Sequence, residues 1–104
     1  MRPPLDLAFY YGHVSRLYEK LEDYDQALAY GEKALAIREQ NSSEEPRKLA
    51  ELHDHLAEIY KTVGSYSENL SHRLRGVEIW KQILPERSRE LPKKLRETDR
   101  KSVV

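Results

Sequence analysis

Apolar residues recur three and four positions apart through most of this chain. Leu7, Tyr10, Tyr11, Val14, Tyr18 and Leu21 form the first such run, a spacing that places them on one face of an amphipathic helix. Pro3 and Pro4 precede it, where a first helical turn tolerates a missing N–H. Ala27, Leu28, Ala34, Leu35 and Ile37 predict a second helix reaching about Gln40, with Asp23 or Asp25 as its cap. So short a turn implies an antiparallel pair, and the alanines let its two helices approach closely. Asn41–Pro46 reads as a linker in which Ser43 caps a third helix, with Glu44 and Glu45 in an acidic first turn. That helix runs to about Val63 on Leu49, Leu52, Leu56, Ile59, Tyr60 and Val63, and Gly64 stops it. A fourth, carrying Leu70, Leu74, Val77, Trp80, Ile83 and Leu84, extends from about Tyr66 to Leu84, where Pro85 ends or kinks it.

The pattern repeats. Shifted by 42 residues, Tyr24 falls on Tyr66, Tyr18 on Tyr60, Val14 on Leu56, His13 on His55 and Ser15 on Ala57. Leu28 falls on Leu70, Leu35 on Val77 and Ile37 on Ile79. A fixed period with a turn inside each unit marks a helical-repeat array. The two tyrosines at the turns, Tyr24 and Tyr66, are expected to pack there.

Tyr11, Val14, Ser15 and Tyr18, then His53, Leu56, Ala57 and Tyr60, resemble the first-helix signature of the tetratricopeptide repeat. The turns, Glu22-Asp23-Tyr24 with Ala27 and Gly64-Ser65-Tyr66 with Asn69, are similar to that family's inter-helix turn, and Ala34 matches its second-helix alanine. The usual period is about 34 residues; the longer one here resembles the kinesin light chain-type subclass. The second unit departs from the pattern at Asn69, Arg73 and Gly76. The resemblance implies an all-α fold of two antiparallel helix hairpins in a right-handed stack, an α-solenoid fragment. Residues 5–40 form the first repeat, 41–46 the linker, 47–84 the second, and 85–104 a basic extension.

It also implies a non-catalytic protein-interaction module, a scaffold or adaptor with a concave groove lined by the first helix of each hairpin. By alignment that groove takes Phe9, Gly12, His13, Arg16, Glu19 and Lys20, then Glu51, Asp54, His55, Glu58, Lys61 and Thr62. It is mixed in its first half and acidic at its centre, which favours a peptide with a basic segment. The family's clamp for a chaperone carboxylate is not reproduced, because its positions hold Gly12, Arg16 and His55.

Composition narrows the alternatives. The 104 residues make one domain at most, and 35% of them are charged against 38% hydrophobic, which suits amphipathic helices over a buried sheet. There is no cysteine, hence no disulfide, zinc finger or thiol nucleophile. No apolar run is long enough for a membrane span, so the expectation is a soluble, cytoplasmic chain without a membrane partner. Net charge is zero, which argues against a nucleic-acid surface. It is split, however: residues 1–46 carry −4 and residues 47–104 carry +4.

The one dense polar cluster is His53-Asp54-His55, the only support for a metal-binding or enzymatic module. His53 and His55 are two apart and diverge on a helix; His55 with Glu51, or Asp54 with Glu58, is spaced to share a face. No cofactor motif is present, and none is expected. Two repeats bury little surface, and Leu74, Trp80, Ile83 and Leu84 are many apolar residues for a free outer helix. A homodimer burying those four is therefore expected, closed directly or by exchange through Asn41–Pro46; a longer array is the alternative. Leu91 and Leu95 could instead cover Trp80, and Ser102-Val103-Val104 fits the C-terminal pattern captured by PDZ domains.

Overall fold

The computed structural model describes residues 3–87, and these form four helices with no strand among them. They are α1 (Leu5–Lys20), α2 (Tyr24–Gln40), α3 (Pro46–Thr62) and α4 (Tyr66–Arg87). α1 pairs with α2 and α3 with α4 in two antiparallel hairpins, and α3 lies against α2 to join them. No described helix is long and apolar enough to cross a membrane. The expectations for Leu91, Leu95 and Ser102-Val103-Val104 lie outside the described residues.

The two hairpin turns are built alike, 42 residues apart. In the first, Asp23 N–H donates to Tyr18 C=O (2.9 Å) and Glu22 N–H to Glu19 C=O (2.9 Å). In the second, Ser65 N–H donates to Tyr60 C=O (2.8 Å) and Gly64 N–H to Lys61 C=O (3.1 Å). This bonding satisfies the last carbonyls of a helix and requires a left-handed residue just past its end. Gly64 supplies it with φ 84°, whereas the first turn uses Glu22 at φ 62°, where a side chain is strained. Asp23 caps α2, its carboxylate accepting from Gln26 N–H at 3.3 Å.

Among the described residues, Ala34, Leu35, Leu49, Leu52 and Leu56 form the central core cluster, with Tyr11, Leu28, Tyr60 and Ile79 packed around it. Ala27 and Ala34 are fully buried, as their small size requires for close packing. Gly31 is the tightest point: a Cβ there would sit 2.5 Å from Leu56 Cδ2 and 3.1 Å from Ser15 Oγ. Ser15 is itself fully buried, and its hydroxyl donates to the Ala27 carbonyl at 2.6 Å across the α1–α2 contact.

Three expectations need correction. Ser43 does not cap α3: Glu45 occupies that position, without a side-chain bond. Pro46 opens the helix with its own fixed φ, which leaves Ser43 two residues upstream in the turn. Pro85 does not end α4, which continues to Arg87; the missing N–H removes only one ladder bond. Tyr66 does not pack at its turn: it is 68% exposed, whereas Tyr24 is half-buried. α4 rests mainly on α3, reaching α2 only through His72–Glu32 and Arg75–Glu39, and no described helix covers the outer side of its first turn. Of the apolar residues assigned to the dimer face, Trp80 and Ile83 are half-buried within the chain and Leu74 and Leu84 are exposed.

Two glycines separate packing from propensity. Gly31→Ala should lower stability by about 1 kcal/mol, because overpacking costs about 1–3 kcal/mol and the better helix former returns about 1 kcal/mol. Gly12→Ala meets nothing within 4 Å and should stabilise by up to about 1 kcal/mol. Urea titrations of the two variants should shift in opposite directions. Glu22→Gly should relieve the strained turn, and the same titration should show a gain of about 1 kcal/mol or less after glycine's extra entropy is counted.

Candidate binding cleft

α1 and α3 run side by side with α2 beneath them, leaving a cleft of about 130 Å³. α1 contributes Ala8, Phe9, Gly12, His13 and Arg16, residues three and four apart on one face. α2 provides the floor through Ala34 and Arg38, and α3 the far wall through Lys48, Glu51 and Leu52. Gly12 keeps the wall low. Phe9 is 49% exposed, its ring edge-on to His13 with centroids 4.5 Å apart.

The charges in this cleft are unequal. Arg38 is buried and its guanidinium lies 3.4 Å from Glu45, while Glu51 is drawn to Arg47 at 3.4 Å. Arg16 and Lys48 are exposed on opposite walls. Three permanent cations and a histidine thus face one carboxylate. Arg38 and Lys48 were not among the residues expected from sequence, because that expectation drew only on the first helix of each hairpin and aligned positions within it.

Of the twelve groove residues expected, Phe9, Gly12, His13, Arg16 and Glu51 are brought together in the cleft. Lys20, Lys61 and Thr62 are exposed at the far ends of α1 and α3, away from its lining; the Thr62 hydroxyl donates to Glu58 C=O at 3.0 Å. The acidic centre expected at Asp54 and Glu58 faces α4 instead. Trp80 Nε1–H donates to Asp54 Oδ2 at 3.1 Å. Arg73 donates to Glu58 Oε1 and lies 3.7 Å from Asp54 Oδ1. Gly76 makes room, since a Cβ there would lie 3.0 Å from Asp54 Oδ1. Asn69 Nδ2–H donates to Ala57 C=O at 2.6 Å. The three departures of the second unit, Asn69, Arg73 and Gly76, therefore belong to one polar interface between α3 and α4.

His55 is not an open groove residue either. It is buried, with Nε2 3.0 Å from Ser15 Oγ and Nδ1 3.5 Å from Glu19 Oε1. Because the Ser15 hydroxyl donates to Ala27, its oxygen accepts from His55 Nε2–H, which fixes that tautomer. Burial, and then Arg16, lower the His55 pKa from 6.5 to about 4. His53 turns the other way, Nδ1 to Nδ1 with His72 at 2.9 Å. His72 Nε2 reaches Glu32 Oε1 at 3.4 Å, and Tyr60 stacks on its ring at 5.4 Å. Burial, then His72 and Arg75, lower the His53 pKa to about 4. Burial, then Glu32, raise that of Tyr60. His53, Asp54 and His55 thus serve three different contacts, and no three metal-ligating side chains converge among the described residues.

In comparisons with protein-family models, curated proteins and solved structures, no match to this chain was found.

The histidines set a pH dependence. Both are held neutral in the fold at pKa values below those of the unfolded chain, so their contribution is complete above about pH 6.5 and is lost as pH falls toward 4. Melting temperature should decline between pH 7 and pH 5. The decline should be shallower in His53→Gln, and thermal melts across that range check it.

Proposed function

We propose that this chain is a non-catalytic protein-interaction module of tetratricopeptide-repeat type, a cytoplasmic scaffold or adaptor that binds an acidic peptide segment in the cleft between α1 and α3. The observation that carries this reading is the cleft's own lining. An exposed Phe9 beside Gly12 offers an apolar seat, and Arg16, Arg38 and Lys48 surround it against Glu51 alone. The expectation of a basic partner rested on Glu51, Asp54 and Glu58; Arg73 pairs with the last two on the side facing α4, and Glu51 is drawn to Arg47. Side-chain carboxylates spaced along a peptide would meet Arg16 on one wall and Lys48 on the other, without a clamp for a chain terminus. Arg38 is committed to Glu45 and adds field from below.

Fluorescence anisotropy with two labelled ten-residue peptides tests this, one rich in Asp and Glu around a central Leu, the other rich in Lys and Arg around the same Leu. The acidic peptide should bind the more tightly, and less tightly as salt rises. Arg16→Glu and Lys48→Glu should each weaken it about tenfold or more, near 1.4 kcal/mol, while Lys61→Glu, outside the cleft, should not. Preference for the basic peptide, or indifference to Arg16 and Lys48, overturns the proposal.

A further inference from the structure

Among the described residues the 42-residue repeat has one internal joint, where α3 covers α2, and two open faces, on α1 and α4. At the joint, Leu49, Leu52 and Leu56 of α3 pack with Leu35 of α2, and Leu28 packs against the same cluster. Shifted by one repeat, the α2 side of that joint becomes Leu70 and Val77 on α4, and both are exposed, as is Leu74 between them. The α3 side, shifted back, becomes Leu7, Tyr10 and Val14 on α1. Leu52 is 6% exposed at the joint, and its counterpart Tyr10 is 65% exposed at the open end. Ile59 is fully buried and its counterpart Leu17 is exposed. Each end therefore presents the apolar half of a joint that the chain elsewhere closes.

We propose that copies of this chain stack head to tail, the open face of α1 in one copy packing on the open face of α4 in the next, so that the repeat continues across the boundary between chains. The size differences along the seam compensate. Where α2 has Gly31, pressed by Leu56, α4 has the large Arg73, and α1 offers the shorter Val14 in place of Leu56. Arg73 is folded back on Glu58 and Asp54, off the seam. The chain's own residues 88–104, one repeat beyond α3, do not carry the covering pattern. They keep Leu91 at the Leu49 position but hold Lys94, Thr98 and Lys101 where α3 has Leu52, Leu56 and Ile59. α1 does carry it. Because the two faces differ, the contact is heterologous and does not close on itself as a twofold dimer would. It is an alternative to the closed dimer expected through Leu74, Trp80, Ile83 and Leu84, of which Trp80 and Ile83 are half-buried within the chain.

Sedimentation of the full 104-residue chain tests it. The weight-average mass should climb with concentration past that of a dimer. Tyr10→Lys and Val77→Glu alter exposed side chains at opposite ends, each burying a charge in an apolar seam, and each variant alone should stay monomeric at concentrations where the parent associates. Mixed in equal amounts, they retain one intact α1 face and one intact α4 face between them. The mixture should give a species of twice the chain mass and nothing larger. Leu17→Lys with Leu70→Glu is the second pair, and helical circular dichroism confirms that every variant is folded. A parent that remains monomeric, a mixture that stays monomeric, or a Tyr10→Lys variant that still dimerises overturns the proposal.

Discussion

The buried hydroxyl of Ser15 sets the distance between the first three helices. It lies where no water reaches and must be bonded on both its hydrogen and its oxygen. It donates to the Ala27 carbonyl at 2.6 Å and accepts from His55 at 3.0 Å. One side chain thereby ties α1 to α2 and to α3. That geometry is possible only because Ala27 and Gly31 hold α2 close and Leu56 fills the space above Gly31. The cleft depends on the same joint, since its floor is α2 and its two walls are the helices that Ser15 links.

The second hairpin has the same joint with its polarity exchanged. Positions 15 and 27 correspond, one repeat later, to positions 57 and 69. In the first pair the side chain that crosses the gap belongs to the first helix of the hairpin; in the second it is Asn69 from the second helix, donating to Ala57 C=O. A residue that breaks the repeat pattern in the sequence thus restores the bond that Ala57 cannot make. Arg73 and Gly76 follow the same logic, one supplying the cation for Asp54 and Glu58 and the other the space for Asp54. Read singly these are departures; together they exchange an apolar contact for an ionic one.

This accounts for what was legible beforehand. Four helices, their antiparallel pairing, the 42-residue period, the left-handed Gly64 and the buried alanines all follow from spacing and residue size, which act locally. The facing of Asp54, Glu58 and His55 does not. Periodicity tells which side of a helix a residue occupies, but a long or polar side chain goes to whichever neighbour can bond it, and those neighbours, Arg73, Trp80 and Ser15, are distant in sequence. Tyr66 shows the converse: its local pattern equals that of Tyr24, but no described helix packs over it and it stands in solvent. Arg38 and Lys48 escaped notice for a related reason, since a cleft at the meeting of three helices draws its lining from all three.

The same reasoning explains why a cluster that suggests a metal site in the sequence has another meaning in the fold. Consecutive residues on a helix point about 100° apart, so His53, Asp54 and His55 sweep more than half the circumference of α3. Polar side chains in so wide an arc would normally face water. Here His53 meets His72 on α4, Asp54 meets Trp80 on α4, and His55 meets Ser15 on α1, while the apolar positions Leu49, Leu52 and Leu56 close on α2. α3 is therefore enclosed by all three other helices, and a short chain with little apolar surface encloses it partly with imidazoles and a carboxylate. The imidazoles of His53 and His55 are kept neutral by that enclosure. The consequence is a core whose packing is conditional on proton occupancy at two places on opposite sides of one helix, so that acidification weakens both of its polar contacts together.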